Sequence, residues 1–180
     1  MALGLGVSLQ AIRDGLAAAR PVAGRLVSHR LAGGATLVDD SYNANPGSLN
    51  AAIDLLAQGS SKEREGWLVL GDMRELGEDA RALHAEAGRR AKAAGIARLY
   101  TLGALSGTAS EAFGEGARHF ESHEALAEAL VADVGAAEAA NEGIAASAAP
   151  TVTILVKGSR GSAMDRIVKA LLEGEGNDAA

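Results

Sequence analysis

At 180 residues with no cysteine, the chain is long enough to bury a core of its own and has neither disulfides nor thiolate metal sites. Its net charge of -6 leaves no basic footprint for nucleic acid or an anionic membrane surface, and no apolar run approaches the roughly 18 residues that span a bilayer. With 48% hydrophobic but only 3% aromatic residues, the core must be aliphatic and alanine-rich, as when helices cover a sheet of Val, Leu and Ile strands.

The first residues lack the positive region and cleavage site of a secretory leader. Ser8 to Arg20 reads as a helix: Ser8 is a cap, Leu9, Ile12 and Leu16 share a face, and Pro21 stops it. Arg25 to Arg30 and Thr36 to Asp40 read as strands joined by the glycine turn "LAGGA", hence an antiparallel hairpin. From Asp40 onward strand, loop and helix repeat. Pro46 to Gln58 is a helix with Asn45 as cap and Pro46 at its first position. "GWLVLGD" is a continuous apolar run, the mark of a strand buried on both faces. A helix over Asp79 to Ala94, closed by Gly95, leads to the strand "ARLYTLG". A helix over Ser106 to Phe113, the short strand "ARHF" and a helix over His123 to Val134 follow. "TVTILVKG" is the last strand and Ala163 to Leu172 the last helix. The alanine-rich segment 136–149 lacks periodicity and reads as a loop or frayed helix end; 173–180 reads as a disordered tail. The class is therefore α/β, a mostly parallel Rossmann-like sheet with helices on both faces and an antiparallel N-terminal strand.

In such a sheet, ligands gather beyond the carboxyl ends of the strands. Asp39, Asp40, Ser41, Tyr42, Asn43 and Asn45 follow the second strand, and Gly71 to Gly77, including Asp72 and Glu75, follow the third. Gly103 and Ser106 follow the fourth, and Lys157, Gly158, Ser159 and Arg160 follow the last. Asn45 is fully explained as a helix cap, whereas Tyr42 and Asn43 have no capping duty. The Asp72 to Gly77 stretch reads equally as an ordinary loop whose acids favour the next helix. His84 falls inside a helix, where a lone histidine more often supports than reacts. "KGSRGSAMD" sets a lysine and an arginine before a helix N-terminus, a setting for a carboxylate or phosphate, with Ser162 as an alternative cap. Neither a phosphate-cradling G-x-x-x-x-G-K-[ST] loop, nor G-x-G-x-x-G after a strand, nor a G-x-S-x-G elbow occurs, and the four histidines show no metal-ligand spacing. The residues alone indicate an anion-binding domain, half of a site.

"DDSYNANPGSLNAAIDLL", "VLGDMRELGEDARALHAEAG" and "ILVKGSRGSAMDRIVKAL", in that order, resemble the C-terminal domain of the Mur ligase family. The branch they resemble joins D-alanyl-D-alanine to UDP-N-acetylmuramoyl-tripeptide (UDP-MurNAc-tripeptide). "LGVSLQAIRDGLAAARPVAGRL" is similar to that family's exit from its central domain. The resemblance implies a cytoplasmic, three-domain, ATP- and Mg²⁺-dependent amide ligase of peptidoglycan synthesis. Its partners are UDP-MurNAc-tripeptide, D-Ala-D-Ala, ATP and its own N-terminal and central domains, with no nucleic acid and no membrane. The division it implies is 1–24 as the end of the central domain and linker helix, 25–172 as the C-terminal domain and 173–180 as a tail. Without the ATP loop, the chain alone is expected to be inactive.

The resemblance also implies site roles. Arg25 reaches the ATP phosphates, Asp40 accepts from the ribose hydroxyls, and Tyr42 and Asn43 lie near the nucleotide. Lys157, Gly158, Ser159 and Arg160, with Ser106, contact the D-Ala-D-Ala, its carboxylate pairing with Arg160 or Lys157. Asn45, Asp72, Glu75 and His84 shape loops. A stand-alone module binding a nucleotide or amino acid is the competing class. A sibling Mur ligase or folylpolyglutamate synthase is the competing enzyme, and "SYNANP" argues against both.

Overall fold

The computed structural model describes residues 6–17, 22–61, 64–140 and 152–174. Helix α1 (Leu9–Ala17) starts where Ser8 Oγ accepts from the Ala11 N–H at 3.2 Å. Its expected run to Arg20 and stop at Pro21 lie outside the described residues. Strands β1 (Val27–Arg30) and β2 (Thr36–Asp40) form the antiparallel hairpin, closed where Leu31 N–H donates to Ala35 O at 2.9 Å. Arg25 and Leu26 do not join β1 as expected: Gly24 and Leu26 take positive φ, 74° and 52°, and turn the chain.

Four further strands follow: β3 (Glu65–Gly71), β4 (Arg98–Leu102), β5 (Ala117–Phe120) and β6 (Val152–Lys157). The sheet order is β1-β2-β6-β3-β4-β5, parallel throughout except at β1. Both ladders of β6 are thus occupied, by β2 on one side and β3 on the other, which is why its residues read as one apolar run.

The sheet carries helices on both faces, as the pattern required. Helices α2 (Pro46–Gly59), α3 (Ala80–Ala93) and α4 (Gly107–Phe113) cover one face, packing Leu49, Ile53, Ala87, Ala91 and Phe113 on Leu68, Leu70, Leu99 and Leu155. Helices α5 (His123–Ala139) and α6 (Asp165–Gly174) cover the other, packing Leu126, Leu130, Ile167 and Leu171 on Leu37, Trp67, Val69, Ile154 and Val156. Alternate residues of β3 therefore serve opposite cores.

Three helix boundaries depart from expectation by two residues or more. Helix α5 continues five residues past Val134, because alanine propagates a helix without an apolar stripe to reveal it. The remaining residues expected as loop, 141–149, lie outside the described ones. Helix α6 starts at Asp165 rather than Ala163, since Ala163 is left-handed, φ 48°, and closes a 3-10 turn over Arg160–Ser162. Its end, Glu173 and Gly174, is helical where a tail was expected, and 175–180 lie outside the described residues.

Candidate functional site

Helix α6, which follows β6, lies on the face opposite to α2 and α3, which follow the flanking strands. The loops beyond β6 and its neighbours therefore part, opening a crevice at the carboxyl edge of the sheet. The polar groups expected beyond these strands meet there.

Asp40 ends β2 beside Lys157, its register partner at the end of β6. Lys157 Nζ donates to Asp40 Oδ2 at 2.5 Å and to the Asn43 carbonyl at 3.0 Å. The lysine side chain is 2% exposed and the aspartate 15%. An ammonium so deeply buried needs a paired carboxylate and hydrogen bonds to be tolerated. Lys157, expected near the dipeptide, is thus paired with Asp40 and lines the same cleft. No bond from the described residues reaches Asp40 Oδ1, which remains an acceptor at the edge of the cleft.

Gly24, Arg25, Asp40, Tyr42, Asn43, Asn45 and Lys157 line a cleft of about 290 Å³, floored by Ala51, Ala52 and Leu55 of α2. Arg25, Asp40, Tyr42 and Asn43, expected to act together, are brought together. Tyr42 is the wall between two arginines: the Arg25 guanidinium lies 4.5 Å from its ring centroid and that of Arg160 5.3 Å. Asn43 Oδ1 accepts from the Ala44 N–H at 2.9 Å. Asn45 is the α2 cap, in a reciprocal capping box with Ser48.

On the far side of Tyr42, Arg160 shares a second opening with Arg74, Glu75, Ser159 and Gly161. Arg74, which lines this opening, is a residue the reading of the loop did not single out. Its signal was present: an arginine within a strand-to-helix loop, facing a second arginine only once β6 is known to neighbour β3. Ser159 is buried, its Oγ accepting from the Arg74 N–H at 2.8 Å and donating to Ala44 O at 3.3 Å, so it ties three loops together. Gly158 is also buried: a Cβ there would stand 2.6 Å from Met164 Cγ and 3.2 Å from Gly71 Cα.

Ser106 lies apart from this group. It is fully buried, with its hydroxyl donating to Gly103 O at 3.2 Å. Its N–H and that of Leu105 donate to Asp72 Oδ1 at 2.8 and 3.1 Å, so Asp72 fixes the entry to α4. His84 is fully buried; its Nε2 accepts from the Met73 N–H at 2.9 Å, and its Nδ1–H therefore donates to Ala80 O at 2.6 Å. Glu75 holds a positive φ of 63° at the loop's sharpest bend. Asp72 and His84 thus brace backbone N–H groups of two neighbouring loops. Among the described residues no group of three His, Asp or Glu converges on a metal.

A family model described as Mur ligase, glutamate ligase domain, matches residues 24–160. A curated Escherichia coli relative, UDP-N-acetylmuramoyl-tripeptide--D-alanyl-D-alanine ligase, is 41% identical over 96% of this chain and 35% of its own length. Among solved structures, MurF from Acinetobacter baumannii superposes with TM-score 0.77 at 28% identity, over 96% of this chain and 35% of that one. MurF ligase from Thermotoga maritima in complex with ADP gives TM-score 0.75 at 21% identity, over 99% of this chain and 36% of that one, and so shares the fold. The chain spans about a third of the length of these relatives.

Proposed function

Since the chain belongs to the Mur ligase family, we propose that it is the C-terminal domain of a ligase joining D-alanyl-D-alanine to UDP-N-acetylmuramoyl-tripeptide. The observation that carries this reading is the cleft in which Arg25, Asp40, Tyr42 and Asn43 converge at the carboxyl edge of the sheet. A nucleoside triphosphate fits its chemistry. Asp40 Oδ1 accepts from vicinal ribose hydroxyls, and the Arg25 guanidinium forks onto phosphate oxygens.

In the reaction, the tripeptide carboxylate attacks the γ-phosphorus and ADP leaves. The dipeptide amine then attacks the resulting acyl phosphate carbonyl, and phosphate departs as the amide forms. The phosphate loop belongs to a preceding domain. Mg²⁺, when bound with the nucleotide, would offset the charge of its phosphates; among the described residues no carboxylate cluster would hold it. This chain's part is closure: Arg25 adds positive charge where negative charge gathers, and the sheet edge excludes water from the acyl phosphate. Arg160, with Arg74 beside it, takes the dipeptide carboxylate across Tyr42 from the nucleotide. Lys157 holds Asp40, and Gly158, Ser159 and Ser106 hold the loops.

In the complete ligase, Asp40→Asn should raise the ATP KM more than the dipeptide KM, and Arg160→Ala should do the reverse. A lost charge-assisted contact of ~1.5–3 kcal/mol gives roughly ten- to a hundredfold in each case. Steady-state kinetics with each substrate varied checks this, and equal effects on both constants would remove the division of the site. The chain alone should release no ADP on addition of ATP, tripeptide substrate and dipeptide.

A further inference from the structure

Asp39, one residue before the acid assigned to the ribose, is buried, and both its oxygens are taken. Oδ1 accepts from the Ser41 N–H at 3.1 Å and the Ser41 hydroxyl at 2.6 Å; Oδ2 accepts from the Gly24 N–H at 3.1 Å. Gly24 O in turn accepts from the Tyr42 N–H at 3.0 Å. Gly24 is thus bonded at both its N–H and its carbonyl across the end of β2. Its φ of 74° and the 2.9 Å between a would-be Cβ and Tyr42 N leave no room for a side chain. The next residue is Arg25, whose guanidinium rests on the Tyr42 ring. Arg25 is therefore held twice to the β2 loop, by its backbone through Gly24 and by its side chain through Tyr42.

We propose that Asp39 is the positioning residue of Arg25: it staples Gly24 to the β2 end, so Arg25 enters the nucleotide site with the C-terminal body, not with the linker. Any rotation of this domain then pivots on the N-terminal side of Gly24. A buried carboxylate whose two oxygens both accept hydrogen bonds from the protein is accounted for by this duty. The gain is in orientation: a guanidinium carried by a rigid body arrives aligned, whereas one trailing on a linker must be ordered at each turnover. The inference rests on the nucleotide reading of the cleft.

Two measurements test it. In this chain, amide hydrogen exchange at Gly24 and Tyr42 should accelerate about tenfold or more in Asp39→Asn, while the β3 and β6 amides keep their protection. In the complete ligase, Asp39→Asn should raise the ATP KM about tenfold and leave the dipeptide KM in place, and in an Arg25→Ala background it should have no further effect. Gly24→Ala, which displaces the staple from its other side, should behave as Asp39→Asn and replaces it if that variant does not fold. Unchanged exchange at Gly24 would overturn the staple. An Asp39→Asn effect that persists undiminished without Arg25 would reduce Asp39 to a structural role and overturn this proposal alone. An Arg25→Ala variant with unaltered ATP KM would instead overturn the nucleotide reading beneath it, whatever the exchange rates show.

Discussion

The Lys157–Asp40 pair is asymmetric, and the asymmetry is measurable. Lys157 is 2% exposed and Asp40 15%, so removing the acid strands an ammonium with little access to water, whereas removing the base leaves an acid that water can reach. Asp40→Ala should cost about 3–5 kcal/mol of unfolding free energy in urea, and Lys157→Met distinctly less. Equal losses would mean that the lysine is better solvated than its burial implies. Both residues were legible as carriers of chemistry, since each ends a strand. Their partnership was not. It depends on β6 lying beside β2, a neighbour that local periodicity does not specify, and so the ion pair of Lys157 with Asp40 could not be read from the sequence. Asp39 was passed over for a related reason: nothing in "VDD" distinguishes the acid that pairs with Lys157 from the acid that holds Gly24.

Helix α2 shows where local chemistry suffices. Asn45, Pro46 and Ser48 specify its start by themselves, and the capping box sits where they put it. Asn45→Ala should lower stability by about 1 kcal/mol, read as a fall in Tm by calorimetry, while Asn45→Asp should hold it. A larger loss would assign Asn45 a duty beyond capping. Where the local signal is weak, the boundary drifts. The end of α5 is alanine on a surface with no stripe to mark it, and the start of α6 is displaced by the left-handed Ala163, a backbone state the residue type does not announce.

At the scale of the whole domain, a buried phenol on β4 ties the fold to pH on the alkaline side. Tyr100 is 1% exposed, donates to Asp133 Oδ2 at 2.7 Å, and accepts from Arg98 at 3.4 Å. Burial, with the bond to Asp133 in support and Arg98 opposing, pushes its hydroxyl up from 10.0 to about 12. The neutral phenol is the form the fold prefers. Its contribution is therefore complete below pH 10 and is lost as pH rises through about 12. Chemical denaturation across that range should show the decline, and Tyr100→Phe should flatten it. The fold class itself was legible because alternating apolar strands and amphipathic helices leave few packings. The strand order was not, because it depends on long-range pairing.

That order has a consequence for how the protein comes into being. Strands β2 and β3 never touch along a ladder; each pairs with β6, which follows the other five in chain order among the described residues. Until Val152–Lys157 leaves the ribosome, the hairpin β1–β2 and the ribbon β3–β4–β5 share no strand ladder, and a slot stands open between them. The residue that fills the end of that slot is Lys157. Completion of the sheet and assembly of the cleft are thus one event, and a nascent chain lacking its final strand cannot display the site.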